Sequence, residues 1–395
     1  MNRRVLVAGV GMAPFSKPSA GDSYDFQGPR AITSALKDAG LTYDRVQQVY
    51  AGYVYGDSTS GQRVVYQIGK TGIPVLNVNN NCASGSSALW LARQAVESGA
   101  VDCALAVGFE QMPPGALSAK WTDRPAPLSD FVAALGEIYD IDPDVPMTPQ
   151  YFAAAGLEYL QKYGGSADTF AAVAVKARSH AANNPYAVFR DPVTLTDVLD
   201  SPRIAGLLTR LQCCPPTCGA AAAVICSDEF ARANGLTPRV AIAAQTLQSD
   251  ADDLFAKKSA MSLVGTDVTR RAARDVYQQA GVDPRDIAVV ELHDCFTVNE
   301  VLSYEALGLC DEGGAEKFIL EGENTYGGRV VTNPSGGLLS KGHPLGATGL
   351  AQTAEITWQL RGEAGDRQVE NATLGLQHNL GLGTAGVITL FERLS

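Results

Sequence analysis

Residues 78–99 read VNNNCASGSSALWLARQAVESG. A run of small polar residues gives way to apolar residues at helical spacing, and one cysteine, Cys82, stands at the junction. A thiol at a helix N-terminus feels the positive end of the macrodipole, and nearby backbone N–H groups can bond its thiolate. Both effects lower a cysteine pKa and favour the nucleophilic form. Ala83, Ser84 and Gly85 are small and leave room for a substrate. Packing is the competing reading, since free cysteine is among the most buried residue types. From this loop alone the two stand level.

Outward from that junction, β-rich runs alternate with helical ones, the pattern of an α/β protein. In the first half, 4–12, 46–54 and 101–112 read as strands and 26–40 as a helix closed by Gly40. Residues 64–72, VVYQIGKTG, read as a short helix. From 112 to 204 the texture changes to Pro, Tyr and Phe with helical patches, which predicts an inserted subdomain covering one face of the first half. Residues 219–235 then read as a strand and helix returning to the sheet.

The second half repeats the theme. Residues 239–247 read as a strand, 269–281 as an amphipathic helix, and IAVVELHDCF (287–296) as a strand entering a loop. Helix 299–309 follows, then a glycine-rich loop feeding a helix over 330–362, and a hairpin over 372–393. The turn into a helix after His343 is the counterpart of the one at Cys82 and suggests an internal duplication. The expected division is 1–111 with 205–235 as one half, 112–204 as the insertion and 236–395 as the other half.

Composition narrows the function. The chain has 395 residues, 46% apolar and 18% charged, enough for a large core. A net charge of −11 disfavours nucleic acid, which is held by clustered Lys and Arg. It leaves room for a phosphorylated co-substrate on a local basic patch or helix N-terminus. No apolar run is long enough for a membrane span. The N-terminal apolar run is short of the roughly 7–15 residues of a signal peptide, so a cytoplasmic protein is expected. Eight cysteines at no regular spacing do not form a disulfide framework. The CCPPTC run (Cys213, Cys214, Cys218) lacks a second ligand pair at zinc spacing, so no metal is expected there and packing around a turn is. GVGMAP lacks the third glycine of a dinucleotide loop, because Pro14 stands in its place.

Four loops carry candidate chemistry. Cys82 is the first. GHPLGATG brings His343, which within reach of Cys82 would take the thiol proton in a Cys–His arrangement. ELHDCF brings His293 and Cys295, put on one face by strand alternation; the pair suits a carbonyl donor and a proton-transfer thiol, and burial suits it nearly as well. QHNLGLGTAG contains His378, Asn379 and Gly381, and a backbone N–H there would serve an oxyanion hole, unless the stretch is an ordinary glycine-rich turn.

Taken in this order, NNNCASGSSAL, ELHDCFTVNEVLSYEALGLC, NPSGGLLSKGHPLGATGLAQ and QHNLGLG resemble the thiolase family, closest to its sterol-carrier-protein-2 or lipid-transfer-protein-like type. The resemblance covers nearly the whole chain and is densest over 291–393. It implies a five-layered αβαβα fold of two similar halves with an inserted loop domain, in dimers or tetramers. The implied reaction is acyl transfer to and from coenzyme A, a co-substrate, with no tightly bound cofactor and no metal. By the resemblance Cys82 is the acyl-accepting nucleophile, and His343 activates it and helps bind the substrate thioester oxygen, while His293 stands where typical thiolases place the asparagine of an Asn-Glu-Ala-Phe loop and supports the same oxyanion hole.

One departure is informative. Typical thiolases carry a second cysteine in a C-terminal Cys-x-Gly loop, where this chain has Asn379-Leu380-Gly381. The resemblance therefore assigns the second thiol to Cys295, keeps Gly381 for an oxyanion hole with the Cys82 amide, and puts His378 and Asn379 with Gly381 at the substrate. Lys257, Lys258, Arg270 and Arg271 form a basic stretch that could meet nucleotide phosphates or simply be a solvated helix face. A retro-aldolase of steroid or acyl-CoA side chains is the rival enzyme, disfavoured because such relatives have lost the cysteine and histidine that Cys82 and His343 supply here. A ketoacyl synthase is disfavoured by the extra Cys295. Lipid transfer by this chain alone is not expected, since the sequence stops at Ser395, right after the hairpin.

Overall fold

A computed structural model of the chain describes residues 3–113, 121 and 123–394. Its strands are β1 (Val5–Ser16), β2 (Gln48–Gly52), β3 (Val75–Val78), β4 (Cys103–Glu110), β5 (Arg203–Ala205), β6 (Leu208–Thr209), β7 (Cys218–Ser227), β8 (Val240–Gln248), β9 (Val289–Glu291), β10 (Val331–Thr332), β11 (Leu374–Gly381) and β12 (Ala385–Arg393). All but the β5–β6 ribbon join one array in the order β10-β9-β11-β12-β8-β1-β7-β4-β2-β3.

That order is a duplication. Outward from the centre, the first half runs β1-β7-β4-β2-β3 and the second β8-β12-β11-β9-β10. The two central pairings in each half are antiparallel and the two outer ones parallel. Between these sheet edges, the Leu6–Ala241 pairing is the one that joins the halves among the described residues. In each half a parallel strand near the array's edge feeds a long helix: β3 leads to helix Ser84–Glu97 and β10 to helix Leu345–Arg361.

These two helices form the middle layer. Their apolar residues (Ala88, Leu89, Ala92, Leu350, Ala354) pack in one core with inward residues of both halves, such as Val7, Ile225, Val289 and Phe391. A second core lies between the first half's outer face and helix Tyr24–Ala39, with Ile32 and Leu36 against Val49, Leu105 and Val224. A third lies outside the second half. Helix, strand, helix, strand, helix is the αβαβα stack. Helix Tyr24–Ala39 ends as expected on Gly40, whose φ of 65° suits only a residue without a Cβ penalty.

Two expectations change. The short helix is Ser60–Val65 rather than 64–72; Val64 and Val65 are fully buried, and the chain then turns through Gly69 and Gly72 (φ 79°). The region after β4 covers the second half, not the first. Phe152 and Tyr159 of helix Met147–Tyr163 share a core with Leu292, Val298 and Leu302, Phe152 stacks on Phe296 at 4.5 Å, and the Tyr159 hydroxyl donates to Glu305 at 2.6 Å. Aromatic burial decided its place, and chain adjacency did not. The chain returns to the main sheet at Cys218, after the β5–β6 ribbon.

Candidate active site

The starts of the two middle helices meet because glycines let them. A Cβ on Gly85 would lie 2.5 Å from the Gly346 carbonyl oxygen, and one on Gly108 2.1 Å from the same atom. Cys82 and His343 stand three residues before Gly85 and Gly346 respectively. Equivalent positions of the duplicated unit thus place them face to face.

The Cys82 loop is held by its own polar residues. Asn81 takes φ 52°, its carbonyl accepts from Ser84 N and Oγ at 3.1 and 2.6 Å, and its amide donates to Leu382 O at 3.1 Å. Gly381 lies against this loop so closely that a Cβ would come within 2.1 Å of Asn80 O. The expected lowering of the Cys82 pKa does not occur. Burial and the nearby Glu110 carboxylate push the thiol up to about 12, against a smaller opposing pull from the Cys82 and Leu382 amides. Desolvation of the anion outweighs the helix terminus. Cys82 rests as a thiol and needs a base.

His343 has the geometry of that base. Its backbone N–H donates to Thr217 Oγ1 at 2.6 Å, which fixes the loop. Thr348 Oγ1 donates to Pro344 O at 3.0 Å, so at 2.7 Å from His343 Nδ1 it accepts. The proton is thereby on Nδ1, and Nε2 carries the lone pair. Nε2 is buried with no hydrogen-bond partner among the described residues. Burial lowers the ring's pKa to about 3, so it is neutral.

β9 stops at Glu291, so His293 and Cys295 reach the site from a loop rather than from strand alternation. The loop is pinned by the buried Asp294, which accepts from Leu338 N at 2.7 Å, and by Asn299, which donates to the His293 carbonyl. The His293 and His343 rings lie edge to face at 5.1 Å. Cys82 Sγ and one nitrogen of each ring all lie within 4.8 Å of one another, close enough to share an ion or a substrate oxygen. Burial holds His293 neutral and the Cys295 thiol well above its ordinary value.

Cys82, His293, Cys295, His343 and Gly381 open on one cavity of about 610 Å³. Its other walls include Met112, Val145, Met147, Phe152, Ile204, Leu263 and Phe296, and among the described residues no Asp, Glu, Lys or Arg lines it. Cys213 and Cys214 pack against the second half's core, as expected of them, and also face the cavity, with Cys214 N donating to the Cys295 carbonyl at 2.8 Å. His378 and Asn379, expected at the substrate, are not on the wall of this cavity. His378 points outward to Thr269 Oγ1 at 3.0 Å, and Asn379 lies behind His293, 3.0 Å from its Nδ1. The basic stretch is a solvated face paired with acids: Lys257 with Asp253 and Asp267, Lys258 with Glu137, and Arg270 with Asp267.

Sequence reasoning missed Glu110, Thr217 and Thr348. Glu110, 1% exposed, ends β4 and accepts from Val54 N, Tyr55 N and Gly346 N at 3.1, 2.8 and 3.0 Å. An acid closing the apolar run CALAVGF (103–109) was its signal.

Comparison with known proteins agrees over the whole chain. Residues 5–229 match the family model of the thiolase N-terminal domain and 253–392 that of the thiolase C-terminal domain-like family. Sterol carrier protein 2 of Gallus gallus is 52% identical over 394 residues, covering 99% of this chain and 72% of that protein. An acetyl-CoA acetyltransferase of Methanothermobacter thermautotrophicus is 35% identical over 402 residues, covering 99% and 100%. Among solved structures, the Ltp2-ChsH2(DUF35) aldolase superposes with a TM-score of 0.82 at 26% identity, covering 99% of this chain and 98% of that one. With two family models and a duplicated sheet in agreement, this chain belongs to the thiolase family, and within it to the sterol-carrier-protein-2 type.

Proposed function

We propose that this chain cleaves 3-oxoacyl-coenzyme A by thiolysis through an acyl-cysteine. One observation carries the reading: the Cys82 sulfur and two histidine nitrogens converge on the wall of an apolar cavity that also holds Cys295. Cys82 Sγ attacks the 3-keto carbon while its proton passes to His343 Nε2. The bond between C2 and C3 breaks, and its electron pair becomes the enolate of the departing thioester. Cys295 protonates C2, releasing acetyl- or propionyl-CoA. Coenzyme A then attacks the acyl-cysteine, giving its thiol proton to the Cys295 thiolate, and the Cys82 thiolate leaves and recovers its proton from His343. A donor aimed at the enolate oxygen is worth roughly 3–4 kcal/mol of barrier in comparable sites.

The separate charges of thiolate and imidazolium are each disfavoured by burial, but formed together within 4.8 Å they stabilise one another. The uncharged wall suits an apolar acyl group, as in fatty-acid or sterol side-chain breakdown. The test is loss of 3-oxoacyl-CoA enolate absorbance on adding coenzyme A, over straight-chain, 2-methyl-branched and steroid acyl groups. Absence of coenzyme-A-dependent loss with every substrate would refute the proposal. The likeness to an aldolase favours a second reading, carbon–carbon cleavage without coenzyme A. Cys82 and His343 weigh against it, and release of a free carbonyl product in the absence of coenzyme A would reverse that judgement.

A second copy of the chain suits edge strand β3, where Leu76 is 41% exposed. A homodimer or homotetramer is accordingly proposed, to be checked by sedimentation. Eight free cysteines suit a reducing compartment such as the cytoplasm, to be checked by fractionation of cells.

A further inference from the structure

The two active-site histidines differ in what stands behind them. Behind His343 is a hydroxyl whose proton is committed to a carbonyl. Behind His293 is the side-chain amide of Asn379, and a chain of buried hydrogen bonds fixes which end of that amide faces the ring.

The chain starts at backbone carbonyls, which only accept. Gln352 Nε2 donates to His378 O at 3.0 Å, so Gln352 presents its oxygen on the other side, 3.3 Å from Gln377 Nε2. Gln377 Nε2 also lies 3.1 Å from Gly349 O. Turning the Gln377 amide over would set its oxygen against these acceptors, so the nitrogen stays where it is. Its two protons face three acceptors, and Ser86 Oγ is the closest of them, so one proton goes to Ser86 Oγ. The single hydroxyl proton of Ser86 points to Asn379 Oδ1 at 2.8 Å. The other end of that amide, Nδ2, then donates to His293 Nδ1 at 3.0 Å. All five side chains are buried, with at most 2% exposed. Gly349 makes the arrangement possible, since a Cβ there would come within 1.9 Å of Ser86 Oγ and 2.8 Å of Asn379 Oδ1.

From this polarity we infer that Asn379, oriented by Ser86 and Gln377, is a positioning residue that locks His293 in the Nε2–H tautomer. The two rings are thus held in opposite tautomers. His343 offers a lone pair to the Cys82 proton, and His293 offers an N–H to a developing oxyanion. The same lock disfavours a metal ion among Cys82, His293 and His343, because an ion needs the lone pair that a proton occupies on His293. Metal-bound histidines ordinarily donate their second N–H to a carboxylate or carbonyl, and the amide nitrogen of Asn379 has the opposite polarity. The catalytic meaning of the lock rests on the thiolysis reading, whereas the tautomer itself does not.

Nitrogen-15 spectra of histidine-labelled full-length protein read the tautomer directly, and the chain has only 4 histidines to assign. His293→Gln identifies the signals. Expected is a protonated Nε2 and an unprotonated Nδ1 on His293 between pH 6 and 8. A protonated Nδ1 in the parent protein overturns the inference without any variant. Asn379→Asp, which replaces the donor by an acceptor, is expected to protonate Nδ1; an unchanged Nδ1 also overturns it. Ser86→Ala frees the Asn379 amide to turn and is expected to lower kcat about tenfold at constant KM, the scale of one buried hydrogen bond. Ser86→Thr is expected to restore it. A kcat that does not move in Ser86→Ala counts against the relay. Should the parent enzyme cleave no 3-oxoacyl-CoA, the kinetic arm falls with the functional reading, and the spectrum alone decides the tautomer.

Discussion

The two halves share one topology and differ in what they carry at matching ends. After β3 the first half presents Cys82, and after β10 the second presents His343. At the end of β4 the first half has Glu110, and at the end of β11 the second has Gly381. Glu110 gathers backbone N–H groups from the β2 loop and from the start of the second half's helix. Gly381 contributes no side chain and lets the second half press against the Cys82 loop. On the proposed thiolysis the first half supplies the nucleophile and a structural clasp, and the second supplies the groups that move or donate protons. Duplication made the frame symmetric, and the side chains at strand ends divided the labour.

The largest break in that division is loss of the nucleophile. Cys82→Ala is expected to abolish thiolysis, since losing a nucleophile elsewhere costs on the order of 10⁶-fold in kcat. Cys295→Ala is expected to stop carbon–carbon cleavage of 3-oxoacyl-CoA, while acylation of Cys82 by a simple acyl-CoA, which releases coenzyme A and breaks no carbon–carbon bond, stays detectable by intact-mass spectrometry. Full turnover by purified Cys82→Ala would end the assignment.

Next in size is the reactivity of the resting thiol. With its pKa near 12 rather than the ordinary 8.5, Cys82 holds roughly three orders of magnitude less thiolate at pH 7 than a free cysteine. Alkylation by iodoacetamide without substrate is expected to be slow and to rise about tenfold per pH unit, with no plateau up to pH 10. A plateau near pH 8 would mean that the amides and helix terminus win after all.

That contest marks where the sequence stops being readable. Strand and helix order followed from apolar periodicity, and Cys82, His343, His293 and Cys295 were found because each sits in an unusual loop. The direction of the Cys82 pKa was missed because the helix start is local, whereas the burial and Glu110 that outweigh it come from packing. Asn379 was misassigned for a related reason. Strand alternation puts His378 and Asn379 on opposite faces, but which face meets the cavity depends on how helix Ser84–Glu97 packs, and Ser86 and Gln377 have no sequence link to His293. Cavity walls from 145 to 152 were illegible because their side chains approach from an insertion that crosses to the other half.

Glu110 tests the clasp. Glu110→Ala leaves three backbone donors without their acceptor, that of Gly346 buried and those of Val54 and Tyr55 partly so, and is expected to cost about 3 kcal/mol of stability, read by chemical denaturation. Burial raises the folded-state pKa to about 7 from an ordinary 4.5. The folded form therefore binds this proton more tightly than the unfolded chain. The carboxyl's contribution is fully present below about pH 4.5 and declines as pH rises through 7. The advantage of the parent protein over Glu110→Ala is expected to narrow from pH 5 to pH 8; a widening gap would place the carboxylate, not the acid, in the clasp.

The smallest effect compares two hydroxyls at matching positions. Thr348 lies five residues after His343, and Ser87 five after Cys82. Thr348 accepts from the His343 ring, while Ser87 accepts from Asn80 Nδ2 at 2.9 Å in the loop ahead of Cys82. Thr348→Val keeps the volume and removes the acceptor, leaving Nδ1–H unpaired in a buried site. The ring then has reason to move its proton to Nε2, where it blocks the base. A roughly tenfold fall in kcat at constant KM is expected, with Thr348→Ser restoring activity. Ser87→Ala removes only a loop tether and is expected to change kcat less than Thr348→Val does. Equal losses in the two variants would show that both hydroxyls act by holding loops, and the proton bookkeeping assigned to the second half would fail.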